Sequence, residues 1–158
     1  MINENIYGSS TMFGFGNNDT CLHYDNYSYV NLIGYDENSW GLSHTGKCWH
    51  RGISYEFTEP FFEKNTLVGC LLNLNNKSIH YYLNGNYLGE AFKNIDTKNL
   101  PLYPMVSSTA IDIELELVKS FKIILSLEEI CYENIHKLFT CYEKLPLANI
   151  FIRNLKKM

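Results

Sequence analysis

The apolar positions of this chain follow a two-residue rhythm for most of its length and a three-to-four-residue rhythm near its end. Residues 11–16, 29–33, 39–43, 47–50, 67–74, 79–83, 86–92, 102–107 and 111–118 are short apolar or alternating runs. Most are bounded by Gly, Asn, Asp, Pro or Ser, so each is a predicted strand. Asn84-Gly85 separates two of them, and both positions tolerate positive φ, which predicts a type I′ hairpin turn. Residues 67–74 (LVGCLLNL) are almost continuously apolar and predict a strand in the middle of a packed sandwich. Residues 111–118 alternate, with Ile111, Ile113, Leu115 and Leu117 on one face and Asp112, Glu114 and Glu116 on the other. That is the pattern of a half-solvated antiparallel strand. Pro101 and Pro104 predict that part of strand 102–107 runs at an edge, because proline cannot donate to a ladder.

The rhythm changes at Ser126. Ser126 is a good helix N-cap and Glu129, three residues on, completes a capping box. Leu127, Ile130, Cys131, Ile135, Leu138 and Phe139 then fall on one stripe at three- and four-residue steps. A second apolar stretch, Ile150, Phe151, Ile152 and Leu155, follows KLPLAN. Short helices with wide apolar faces need a further surface, and the expectation is that a separate protein supplies it. The chain is therefore read as a mostly β, antiparallel sandwich over residues 1–119 and a small α-helical region over 120–158.

Composition narrows the function. Of 158 residues, 46% are apolar, enough for a core, and the net charge is -4. A protein held to nucleic acid by phosphate contacts wants a basic face, so no nucleic-acid partner is expected. No apolar run is long enough to span a membrane and no signal peptide opens the chain, so no membrane is expected either. Five cysteines, Cys21, Cys48, Cys70, Cys131 and Cys141, show no CxxC spacing and read as reduced thiols of an intracellular protein.

Catalytic patterns are thin. His44, Cys48 and His50 lie close in sequence but lack a fourth ligand and match no common zinc spacing. GFGNND lacks the Lys and the following helix of a phosphate loop. No Ser/His/Asp order stands out. Trp40 and Trp49 read as core residues. No catalytic residue, metal or cofactor is expected.

The order of these pieces resembles a SPRY domain. The residues that carry the likeness are LIGYDENSWGLSHTGKCWHRG (32–52), LVGCLLNLNNKSIHYYLNGNYLGEAF (67–92) and LYPMVSSTA (102–110). The tail resembles a SOCS box: Ser126-Leu127-x-x-x-Cys131-x-x-x-Ile135 is similar to the pattern that docks on elongin B/C. Leu145-Pro146-Leu147, followed by Ala148, is similar to the motif that selects a cullin. Together they resemble the SPRY domain-containing SOCS box family.

That resemblance implies a bent β-sandwich that grips a short Asn-rich segment of a target protein at one rim, through Gly8, Ser9, Tyr29, Leu32, Thr109, Ala110 and Ile111. It implies a non-catalytic substrate-recognition subunit of an elongin B/C–cullin E3 ubiquitin ligase, promoting ubiquitination and proteasomal degradation. The further partners would be a cullin, cullin-5 ahead of cullin-2, and its RING protein, in the cytoplasm and/or nucleus. The chain departs from the family in three ways. It starts where the family's sandwich already has strands behind it, so the N-terminal strands are expected to be absent and an edge exposed. Ala148 stands where the cullin motif usually has Pro. Ala110-Ile111 stands where several relatives have Trp-Gly. The alternative reading is a SPRY interaction module outside any ligase.

Overall fold

Turns come where residues with positive φ interrupt the apolar runs, and these turns set the topology. Asn84 (φ 52°) and Gly85 (φ 83°) form the two-residue hairpin turn between β6 (Ser78–Leu83) and β7 (Asn86–Phe92). Lys77 (φ 53°) closes the turn between β5 (Val68–Asn73) and β6, and Gly46 (φ 84°) the one between β2 (Ser39–Ser43) and β3 (Lys47–His50). Arg51 (φ 54°) and Gly52 (φ 70°) turn the chain from β3 into β4 (Ile53–Glu56). The remaining strands are β1 (Thr11–Gly16) and β8 (Tyr103–Ser108). The structure is a computed structural model that describes residues 1–3, 10–23, 30–96, 101–110 and 113–121. Among them there is no helix. The chain divides into two compact units, Met1–Val118 and Lys119–Met158. In the second, the described residues are 119–121, where the Lys119 ammonium lies 5.3 Å from the Phe121 ring centroid.

Among the described residues of Met1–Val118 all strand pairs are antiparallel. They form a five-stranded sheet, β4-β3-β2-β1-β8, and a three-stranded sheet, β5-β6-β7. Register decides the inner face. Phe15 stands opposite Trp40, Phe13 opposite Leu42, and Leu42 opposite Cys48. Alternation then points these side chains toward Ile79, Tyr81 and Phe92 of the other sheet, and they form one core cluster. Burying each such side chain contributes about 1.5–3 kcal/mol. Polar ties also cross between the layers. The Tyr81 hydroxyl donates to the Phe13 carbonyl at 3.0 Å, and the Tyr55 hydroxyl donates to the Ala91 carbonyl.

The outer face of β1 and β2 carries small residues, Gly14, Gly16, Ser39, Gly41 and Ser43, beside one large one, fully buried Met12. A Cβ on Gly41 would meet Ile33 Cγ2 at 2.8 Å, so this glycine is what lets fully buried Ile33 lie across the sheet. The covering loop is pinned by side chains. Asp36 Oδ1 accepts from the Asn38 N–H (3.0 Å) and the Ser39 hydroxyl (2.8 Å), and Ser39 Oγ accepts from the Gly34 N–H (2.8 Å). β2 is consequently buried on both faces.

Four features differ from the sequence reading. Residues 30–32 are not a strand; they lead into the turn that carries Ile33 over Gly41. β4 was not foreseen, because an edge strand exposed on both faces has no clean alternation. β5 is an edge, not a central strand, and Leu67, Leu71 and Leu74 are exposed. In 113–118 the described residues hold a single bridge, at Leu115 to Ile2, rather than a ladder. The hairpin at Asn84-Gly85 and the edge position of Pro104-bearing β8 are as the sequence predicts.

Gly41→Val should drive a branched side chain into Ile33 and cost about 1–3 kcal/mol in urea unfolding. Tyr81→Phe should lose about 1 kcal/mol by removing one buried hydrogen bond. An unchanged unfolding midpoint for Gly41→Val would mean that Ile33 does not pack as described.

Candidate functional site

One end of β1 gathers the residues that could read a ligand. β1 and β8 pair with Thr11 opposite Ser108, so the start of β1 and the end of β8 share a rim. There the Thr109 N–H donates to the Ser10 carbonyl at 2.8 Å, and the Ser10 N–H donates to Thr109 Oγ1 at 2.9 Å. The Ser10 hydroxyl donates to Asn31 Oδ1 at 2.5 Å, which fastens the strip around Leu32 beside β1. Thr11 Oγ1 and Ser108 Oγ are 2.9 Å apart, and Ser108 Oγ accepts from the Ala110 N–H at 3.0 Å. Leu32, Thr109 and Ala110 are half-buried, leaving part of each open at the rim.

Of the predicted rim residues, the structure thus sets Thr109 and Ala110 together and brings the neighbour of Leu32 to the same place. Gly8, Ser9, Tyr29 and Ile111 lie outside the described residues, as do Ser126, Leu127, Cys131, Ile135, Leu145, Pro146, Leu147 and Ala148 of the tail. Ser10, Asn31 and Ser108 were missed by sequence reasoning. Their signal was weak: small polar residues at strand ends suit caps and turns as readily as sites.

The described rim residues Ser10, Thr11, Asn31, Leu32, Ser108, Thr109 and Ala110 are all uncharged. Ser10 and Thr11 are buried beneath the rim, and the partly or fully exposed Asn31, Ser108, Thr109 and Ala110 carry hydroxyl, amide and backbone groups of both donor and acceptor kind. Such a surface suits a neutral polar segment in extended form better than a phosphate or a carboxylate, which would want a cation.

His44 braces this rim from beneath. It is 1% exposed, its Nδ1 accepts from the Thr11 N–H at 2.9 Å, and its backbone N–H donates to the Thr11 carbonyl at 2.8 Å. The first bond requires neutral Nδ1, which sets the proton on Nε2. Burial pushes the His44 pKa below its ordinary 6.5, while the Thr11 carbonyl acts more weakly the other way. His50 serves elsewhere: it stacks on Trp40 with ring centroids 4.8 Å apart, and its Nδ1 lies 2.8 Å from the Ser39 carbonyl. Burial lowers its pKa as well. Cys48 is fully buried in the core, and burial raises its thiol to about 12. The residues considered for zinc therefore have structural partners, and no cluster of three metal-ligating side chains occurs among the described residues.

His44 makes stability depend on pH. Its folded pKa lies below its unfolded one, so the unfolded state binds more protons below pH 6.5 and stability falls as pH drops below that value. Asn in place of His supplies a non-titrating acceptor where Nδ1 stood. His44→Asn should therefore show a shallower loss of melting temperature on acidification than the parent. The remaining slope would come from groups such as His50. Equal slopes for the two proteins would remove His44 from this role.

The SPRY domain family profile matches residues 4–117. The protein called SPRY domain-containing SOCS box protein 3 from Xenopus tropicalis is 30% identical over 133 residues, 84% of this chain and 36% of that protein. The Xenopus laevis protein of the same name is 29% identical over the same share of each. The chain thus spans about a third of the length of the curated relatives it matches. Among solved structures, the SPRY domain of human HERC1 superposes with a TM-score of 0.52 at 21% identity, covering 71% of this chain and 65% of that one. That likeness concerns the fold.

Proposed function

The chain belongs to the SPRY domain family, and from that premise we propose that it is the substrate-recognition subunit of an elongin B/C–cullin E3 ubiquitin ligase. One observation carries the reading. The likeness to proteins named for both a SPRY domain and a SOCS box runs over 133 residues, more than the 117 up to the end of the SPRY match. It therefore extends past the SPRY match into the tail; in this reading Ser126, Leu127, Cys131 and Ile135 are the elongin-docking pattern and Leu145, Pro146, Leu147 and Ala148 the cullin-selecting one.

In this reading the rim near Ser10, Leu32, Thr109 and Ala110 holds a short, neutral, Asn-rich segment of a target. Asn side chains donate and accept at once, which matches the uncharged groups there. The tail holds elongin C through Leu127, with Cys131 small enough for a tight pocket. No group of this chain takes part in bond making. The subunit works by keeping a target lysine close to the charged ligase, an effective-concentration effect. The cullin is cullin-5 ahead of cullin-2, and the complex works in the cytoplasm and/or nucleus.

Immobilised full-length chain should capture elongin B/C. Leu127→Ala alone should weaken capture at least about tenfold, since a buried leucine contributes about 1.5–3 kcal/mol. Leu127→Ala combined with Cys131→Phe should abolish it. Failure of the parent chain to capture elongin B/C would return the protein to a SPRY interaction module without a ligase.

A further inference from the structure

His44 ends the ladder from which the rim hangs. Just beyond the Met12–Ser43 pair of β1 and β2, the His44 backbone N–H donates to the Thr11 carbonyl at 2.8 Å. In a regular antiparallel rung the return bond runs from the Thr11 N–H to the His44 carbonyl. That carbonyl is turned away here and accepts from the Phe61 N–H at 2.8 Å. The ring takes its place, with Nδ1 accepting from the Thr11 N–H at 2.9 Å. An imidazole nitrogen thus stands in for a main-chain carbonyl. Unlike a carbonyl, it can take up a proton and cease to accept.

The peptide group between Ser10 and Thr11 carries this contact to the rim. It is one rigid plane. Its N–H is held by His44, and its carbonyl, that of Ser10, accepts from both the Thr109 N–H (2.8 Å) and the Thr109 hydroxyl (3.1 Å). His44 and half-buried Thr109 therefore grip opposite ends of a single peptide, and a plane that turns at one end turns at the other. Hydrogen bonds linked in this way also strengthen one another.

A proton on Nδ1 undoes the arrangement, because Nδ1 would then face the Thr11 N–H donor to donor. The nearest acceptor left to it is the Thr11 carbonyl, 3.4 Å away and already bound by the His44 backbone N–H. The groups facing the ring are Thr11 of β1 and the Phe62 ring, edge-on at 5.1 Å, and neither carries a charge. Among the described residues no charged side chain acts on the His44 pKa.

Taking the rim as the target site, we propose that His44 is its positioning residue: the neutral ring holds the Ser10–Thr11 peptide in the orientation that presents Thr109 to a ligand, and the protonated ring releases that ligand.

The coupling can be read without a known target. In NMR spectra of the intact chain, the amides of Ser10, Thr11 and Thr109 should shift between about pH 8 and about pH 5 along the same curve as the His44 ring protons. In His44→Asn, whose side-chain oxygen accepts where Nδ1 stood and does not titrate, they should stay still. The binding probe is a capped peptide of three asparagines flanked by serines, which has no group that titrates in this range. Its affinity for the parent should fall at least about tenfold across the range. His44→Phe should bind it weakly throughout, and His44→Asn should recover part of the affinity with no dependence on pH. A histidine that served stability alone would give neither the shared curve nor the pH-independent rescue. Rim amides that ignore the ring's titration, or that shift equally in His44→Asn, overturn the proposal. So does a ring that stays neutral until all native signals vanish together, and so does affinity in His44→Asn that falls with pH as the parent's does. A probe that fails to bind across the range, while the amides follow the ring, upholds the positioning role and overturns the rim as target site instead.

Discussion

A phenol in the middle of a β-sandwich needs a partner for its hydroxyl, and the fold is arranged around that need at Tyr81. The side chain is fully buried, and burial holds its pKa well above the ordinary 10. Left unpaired, such a group would cost about 1–3 kcal/mol. It is paired by the Phe13 carbonyl, which belongs to the opposite sheet. The bond fixes how β6 sits over β1, and β1 lies between β2 and β8 in its own sheet. Phe57 packs edge-on against the same ring at 6.2 Å, so Tyr81 is held by contacts from the facing side as well.

What β1 fixes, the rim inherits. Its first residue, Thr11, is bound on one side to Ser108 and on the other to His44. Ser10 before it is bound to Thr109 and Asn31. Those short polar residues form a network that mixes backbone bonds (Ser10 with Thr109, Thr11 with His44) and side-chain bonds (Ser10 with Asn31, Thr11 with Ser108), so much of its geometry follows the sheet. A ligand bound on a neutral, pre-arranged surface of this kind would be selected by hydrogen-bond matching, because one that leaves a group unmatched leaves a desolvated polar atom behind.

The outer side of the same sheet shows the complementary constraint. Gly14 has no room for a side chain, since a Cβ would stand 1.9 Å from the Trp40 carbonyl oxygen, and Gly41 yields its space to Ile33. Covering both faces of β1 and β2 explains why a chain of modest size buries polar residues such as Ser39, Ser43 and His44 alongside its aliphatic core. Each is tied into a local hydrogen bond, as a buried polar group must be.

The two-residue period, the Asn84-Gly85 pair and the turn residues between the apolar runs were enough to read an antiparallel β domain and most of its strands. Local chemistry decides such features, because a type I′ turn or an alternating strand is a property of neighbouring residues. The same reading could not tell that LVGCLLNL lies at an edge. Its apolar run suits a central strand equally well, and position in a sheet depends on which distant strand pairs beside it. Nor could it show that residues 30–32 are a cover strip, since that follows from the missing side chain of Gly41 across the sheet. Thr109 and Ala110 were named from a family resemblance, and the structure sets them beside Ser10 and Ser108 at one rim. Ser10, Asn31 and His44 became part of the site only through contacts spanning 99, 21 and 33 residues. Periodicity and turn chemistry are written along the chain; strand order, edges and the convergence at the rim come from long-range pairing that only the folded molecule expresses.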